Sequence, residues 1–184
     1  RSQHRLKISM EESKESVTAR YTQLDAHDAS KSYLIAAGTE TLAFADDSGS
    51  VSEIQPSGYQ QIVTRPNIRD LAVGEFIYVL TDTELEAFGR AGGRLWVVDI
   101  PNGEGIIADA TRNQVYIRTD DATFLSIDGQ TGSETARFDQ PHTELGGTPT
   151  VAAHGGYLAV ATWSFMTILS PSGEVPSCPG LAVP

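Results

Sequence analysis

VYIRTDDATFLSIDGQTGSETARF, residues 115–138, holds three strand signals and two turn signals in the order of a β-meander. Val115, Ile117 and Thr119 alternate with Tyr116 and Arg118. Phe124, Ser126 and Asp128 alternate with Leu125 and Ile127, and Gly129-Gln130-Thr131-Gly132 then leads to Thr135, Arg137 and Phe138. Period-two alternation marks strands with one face in a core, and Asp- and Gly-bearing breaks mark tight reversals. One such meander is a blade's worth of sheet.

Working outward, the same unit recurs. The strands YLIAA (33–37), FIYVL (76–80), VYIRT (115–119) and YLAVA (157–161) start 43, 39 and 42 residues apart. A polar turn follows each, then a second strand: Thr41 to Ala45, Glu84 to Phe88, Ala122 to Ile127 and Phe165 to Leu169. Upstream of each lies a segment of small residues, Leu24-Asp25-Ala26, Asp70-Leu71-Ala72-Val73, Ile106-Ile107-Ala108 and Thr150-Val151-Ala152. These read as innermost strands, where converging blades leave little room. A period of about 40 residues with four short strands is that of a β-propeller blade. The expected fold is all-β, a propeller of about four blades of four-stranded antiparallel sheet.

Three regions are expected: an N-terminal strand and connection (1–21), the propeller repeats (22–175) and an irregular C-terminal tail (176–184). Arg5 to Ser9 reads as a strand, Met10 to Ser16 as a solvated polar connection and Val17 to Leu24 as a further strand. The fourth unit lacks an outer strand, because Pro176 and Pro179 cannot sustain a ladder. The RLKIS strand is therefore expected to cover that edge and close a four-bladed ring. The chain opens on Arg1 instead of Met, which suggests processing or trimming.

Composition excludes some partners. A chain of 184 residues, 40% of them apolar, suffices for one well-buried domain. With 24 acidic against 13 basic residues and a net charge of -11, nucleic acid is not an expected partner, since it requires a basic face. No stretch approaches the ~20 apolar residues of a membrane span. The basic set is three Lys and ten Arg, and an acidic, Lys-poor surface resembles that of proteins from salt-loving archaea. Cys178 is the single cysteine, so no disulfide forms within the chain, and no basic neighbour activates its thiol.

The order strand, Thr-Asp, strand, Asp-x-x-Thr-Gly in residues 115–138 resembles the repeat of the PQQ-like (WD40-like quinoprotein) β-propellers. FIYVLTDTELEAFGRAGGRLWVVDI, with Trp96 after the Gly turn, is similar. The resemblance covers residues 22–175. Quinoprotein dehydrogenases of that family use a long propeller, a quinone, a calcium ion and adjacent cysteines. One cysteine and half the usual blades imply the cofactor-free type, so no cofactor is expected.

Chemistry-bearing motifs read as structure. Asp46-Asp47-Ser48-Gly49 lacks the alternating ligands and terminal Glu of a calcium loop and reads as a hairpin turn. The neighbouring carboxylates Asp120 and Asp121 point to opposite faces of a strand end and read as solvated turn residues. His142 and His154 have no third ligand at zinc-like spacing. No Gly-x-Ser-x-Gly elbow is present, and Gly89 to Gly93 connects two strands. The expected function is a noncatalytic propeller that binds a protein partner within a larger assembly, such as a viral or cell-surface appendage. The alternative is a ligand-binding or hydrolytic propeller with a site in its central channel. Recognition is expected on two long connections, Gln55 to Ile68 and Gln140 to Thr148, with Tyr59, Arg65, His142 and Trp163 as partner-binding residues and no catalytic or metal site.

Overall fold

The structure is a computed structural model that describes residues 5–13, 16–24, 34–38, 41–55, 58–120, 123–139, 150–161 and 166–170, the first two segments as backbone alone. The described residues contain strands and turns and no helix. The chain divides into two compact units, residues 1–32 and 33–184.

The first unit is a hairpin. β1 (Arg5–Ser13) pairs antiparallel with β2 (Ser16–Leu24) along its whole length, from Arg5 opposite Leu24 to Ser13 opposite Ser16. The polar run from Met10 to Ser13 is therefore strand, a correction to the expected connection. Its own β propensity is weak, but Val17 and Thr18 lie opposite Glu12 and Glu11, and strand formation follows the partner more than the segment. β1 has its partner in β2, and a pairing of RLKIS with the last blade is not among the described ladders.

The described residues of the second unit form four antiparallel sheets in chain order. The first comprises β3 (Leu34–Ala37), β4 (Leu42–Ala45), β5 (Ser50–Gln55) and β6 (Gly58–Thr64). The second comprises β7 (Ile68–Val73), β8 (Ile77–Thr81), β9 (Glu84–Phe88) and β10 (Arg94–Asp99). The third comprises β11 (Gly103–Asp109), β12 (Gln114–Thr119), β13 (Thr123–Asp128) and β14 (Glu134–Asp139). The fourth comprises β15 (Thr150–His154), β16 (Tyr157–Ala161) and β17 (Met166–Leu169). Each sheet is a meander whose strands pair in sequence order. The meander at residues 115–138 forms as read, with Val115 opposite Ile127 and Phe124 opposite Phe138.

The first unit of the repeat is displaced by one strand from its expected frame. β7 packs against β3 and β4 as β11 packs against β7 and β8, so β3 is the innermost strand of its blade. LIAA (34–37) thus occupies the place of LAV in the second blade, and Leu24-Asp25-Ala26 is not the inner strand: Leu24 ends β2, and residues 25–26 lie outside the described set. The reason is steric. Ala36, with Ala43 beside it, supplies the small side chains that the convergence of blades requires. The same shift turns half of the supposed long connection Gln55 to Ile68 into β6, paired with β5 from Ser50–Thr64 to Gln55–Gly58.

Three cores lie between successive sheets. Ala36, Ala43, Ala45 and Val51 of the first blade meet Leu71, Val73, Ile77, Val79 and Phe88 of the second. The other face of the second blade, with Tyr78, Leu80, Leu85 and Ala87, meets Ile106, Val115, Ile117, Leu125 and Ile127 of the third. Tyr116 and Phe124 meet Leu158, Val160 and Leu169 of the fourth. Strands with apolar residues on both faces, such as IYVLT in β8, follow from this double coverage.

The Asp-x-x-Thr-Gly turn also joins blades. Asp128 Oδ1 accepts hydrogen bonds from the N–H groups of Gln130 and Thr131 and from the Thr131 hydroxyl, at 2.8–3.0 Å. Gly132 has φ +75°, and a Cβ there would lie 2.9 Å from the Trp96 ring. Only glycine both adopts that conformation easily and admits the indole, whose Nε1–H donates to the Gly129 carbonyl at 2.9 Å.

Candidate functional site

Tyr59 stands near the start of β6 and Arg65 just past its end, about 20 Å apart at the usual strand rise. Tyr59 lies opposite Ile54 near the β5–β6 hairpin, is 68% exposed and sets its ring edge-on to Phe44 at 6.0 Å. Arg65 turns into the interface between the first and second blades. Its Nε donates to Glu86 Oε2 at 2.5 Å and its Nη2 to Glu86 Oε1 at 3.0 Å, with the guanidinium 5.4 Å from the centre of the Phe88 ring. The structure does not bring the two residues together, because the segment between them is strand. His142 and Trp163 lie outside the described residues.

The Arg65 site is a charge cluster between blades. Glu86 is 1% exposed and also accepts from Arg94 Nη1 at 2.9 Å. Glu53, buried on the facing sheet, accepts from Gln55 and lies 3.9 Å from Arg90. Burial alone would raise the Glu86 pKa, but the hydrogen bonds and charges of Arg65 and Arg94 outweigh it and hold the carboxyl below its ordinary range. The Arg65 pKa is raised, chiefly by its hydrogen bond to Glu86.

Two further carboxylates bridge blades through the backbone. Asp70, on β7, accepts from the Leu71 N–H and from the Ile106 N–H of β11, both at 2.8 Å. Since β11 edges its sheet, that outward N–H has no ladder partner and the carboxylate supplies one. Burial raises the Asp70 pKa, against the pull of the two N–H donors. Asp109, at the end of β11, accepts from the Gly156 N–H at 2.6 Å and from Thr111 N–H and hydroxyl at 3.0 and 2.6 Å. Its burial would raise the pKa, but these donors together lower it.

A tyrosine repeats the tie. Tyr78 and Tyr116 each stand three residues before the Thr-Asp pair of their blade. Tyr78 donates to Asn113 Oδ1 at 3.3 Å, in the turn between the first two strands of the next blade, and Tyr116 donates to the Gly156 carbonyl at 3.2 Å, in the corresponding turn of the blade after. Nothing in the sequence reading singled out Asp70, Glu86, Asp109 or these tyrosines as functional. The shared tyrosine in FIYVLTD and VYIRTDD was the available signal.

A cleft of about 200 Å³ opens where the second, third and fourth blades meet, lined by Asp70, Glu104, Arg118, Tyr116 and Phe124 among others. Arg118 is paired with Glu104 and Asp70 with its two N–H donors, so the polar lining is internally matched. The volume lies below the range of about 300–1,000 Å³ usual for small-molecule sites. Among the described residues no three His, Cys, Asp or Glu side chains converge as metal ligands. The turn at Asp46 is a hairpin, with Asp46 Oδ1 accepting from the Ser48 N–H and hydroxyl and from the Ser50 N–H.

No protein-family model matches the chain, and no curated protein sequence matches it. Solved structures do. Apo AztD from Citrobacter koseri aligns with a TM-score of 0.61 at 12% identity, over 88% of this chain and 48% of that one. BamB from Moraxella catarrhalis aligns at 0.55 and 15% identity, over 77% and 50%. The Neurospora crassa Pan2 WD40 domain aligns at 0.54 and 14% identity, over 77% and 47%. The likeness to these PQQ-like and WD40-type propellers establishes a β-propeller fold, and the chain spans about half the length of the solved structures it resembles.

Proposed function

We propose that the chain is a noncatalytic β-propeller module that joins protein surfaces, as part of a larger assembly or of a surface or viral appendage in a salt-loving archaeal system. The supporting observation is where its buried carboxylates go. Glu86, Asp70 and Asp109 are each committed to a neighbouring blade, which leaves them to hold the scaffold instead of converging on a substrate. Tyr59 is the described residue best placed to anchor a partner, being aromatic, exposed and seated on sheet. His142 and Trp163 join it as candidates from sequence, and Arg65 acts by holding Glu86. The net charge of -11 on a Lys-poor chain supports the saline setting.

Melting in low and in molar KCl, each with and without a panel of divalent metals and small glycans, tests this reading. Screening relieves repulsion among the carboxylates, so Tm rises with KCl, and no panel member adds a further shift. A stoichiometric ligand that protects the Asp70–Arg118 cleft would establish a ligand-binding propeller instead. A Tm indifferent to salt would remove the halophilic part.

A further inference from the structure

The cores between successive blades all have one construction, in which the trailing face of one sheet meets the leading face of the next. Within residues 33–184, the four described sheets leave one leading face and one trailing face with no other described sheet of that unit on them. Register identifies both. Ala37, Leu42, Ile54 and Tyr59 lie side by side across the first sheet, with Ile35 two residues along, on the face opposite Ala36 and Ala43. In the fourth sheet Ala161 lies opposite Met166 and Ala159 opposite Ile168, with Tyr157 in line, on the face opposite Leu158 and Val160.

Both faces are open and mostly apolar, their polar residues including Ser52 and Gln61 on the leading face and Thr150 and His154 on the trailing one. Ile35 is 69% exposed and Met166 68%, and Tyr59, Tyr157, Ile54 and Ile168 are exposed with them. In a chain of 24 acidic and 13 basic residues, no described residue that register places on either face is Asp, Glu, Lys or Arg. Uncharged sheet faces of this kind are surfaces built to be covered. Each is the missing half of the interface that the chain already makes three times.

We propose that a second copy of this chain covers both. The leading face of each copy sits on the trailing face of the other about a twofold axis, and two runs of four blades close one ring. Head-to-tail contacts of this type form closed rings when the rotation fits, and eight blades lie within the usual range for propellers. Because the two faces belong to the same repeat, a second copy offers each of them the kind of face that successive blades already offer one another. This rests on the interaction-module reading and names its partner.

Native mass measurement at micromolar concentration tests it. The wild type runs as two 19.7 kDa chains. Ile35→Lys, on the leading face, and Met166→Glu, on the trailing face, each run as one chain, because either change enters both contacts of the homodimer. Mixing the two monomeric variants restores a dimer, since that pair retains one unaltered contact. Circular dichroism checks that each variant keeps its sheet. If one loses it, Tyr59→Lys or Ile168→Glu takes its place. A monomeric wild type would overturn the proposal, as would one variant remaining dimeric or a mixture that fails to reassociate. A small ligand found in the panel above would instead overturn the module reading, so the two failures are separable.

Discussion

Arg65→Ala lowers stability by about 2–4 kcal/mol, a fall in Tm of roughly 5–15 °C for a domain of this size. Glu86 is 1% exposed and sits in the interface between the first two blades, where two of its three guanidinium contacts come from Arg65. Removing one partner of a buried pair leaves a charge with inadequate compensation. Arg94 still reaches Oε1 and keeps the loss from the upper end of the range. Arg65 itself is 30% exposed, so the cost comes from stranding Glu86 and not from solvating the arginine. Arg65→Lys falls between, since it restores the charge without the two-pronged geometry. Thermal melting of the three proteins at one pH is the measurement. An unchanged Tm for Arg65→Ala would return Arg65 to the role of a free docking residue.

Asp109→Ala is expected to cost about 1–3 kcal/mol near neutral pH, because it strands the buried Gly156 N–H across a blade interface and releases the more exposed Thr111 donors on its own side. The Gly156 N–H and the Thr111 N–H and hydroxyl lose their acceptor together, while Thr111 Oγ1, which accepts the Gly155 N–H at 2.9 Å, loses its anchor. The effect depends on pH. Since the folded Asp109 pKa lies below the unfolded value of about 3.9, its contribution is present above that value and is lost as pH falls through the folded pKa. Glu86, Asp128 and Glu134 have the same sign. Asp70 has the opposite sign, because its raised pKa favours the fold below the unfolded value and loses that contribution as pH rises through the folded one. Denaturant titrations from neutral to acid pH should therefore show wild type and Asp109→Ala converging below about pH 4. A constant gap would mean that the carboxylate charge is not what the bridge uses.

The meander at residues 115–138 was legible because two local rules agree there. Its strands alternate, and its turn carries an aspartate that caps three donors and a glycine at positive φ. The first blade was not legible in the same way. Aligning YLIAA with FIYVL respected spacing and hydrophobicity, but the place of a strand in a propeller is set by how close its neighbours come, and only the alanines record that. β6 escaped because Gln60 and Gln61 are poor strand signals. An outer strand with an exposed face tolerates them, and the β-branched run Ile62-Val63-Thr64 after a Pro-Ser-Gly break was the cue available. The bridges of Asp70, Glu86 and Asp109 join residues 21 to 47 positions apart, so no local pattern announces them. The recognition residues expected on long loops included one that proves to lie on sheet, Tyr59, and one that proves to be paired between blades, Arg65.

Side chains of the second and third blades clasp the first two strands of the next blade or the turn between them, and amide hydrogen exchange measures this residue by residue. Gly156 lies in a tight turn and the Ile106 N–H faces away from its own sheet, so neither has a ladder partner to slow it. Both should nevertheless exchange as slowly as amides inside β8 and β12, and Asp109→Ala should release Gly156 while leaving Ile106 protected. Exchange of both in the wild type at the rate of exposed turn amides would contradict the clasp, and with it the stacking of the second, third and fourth blades described above.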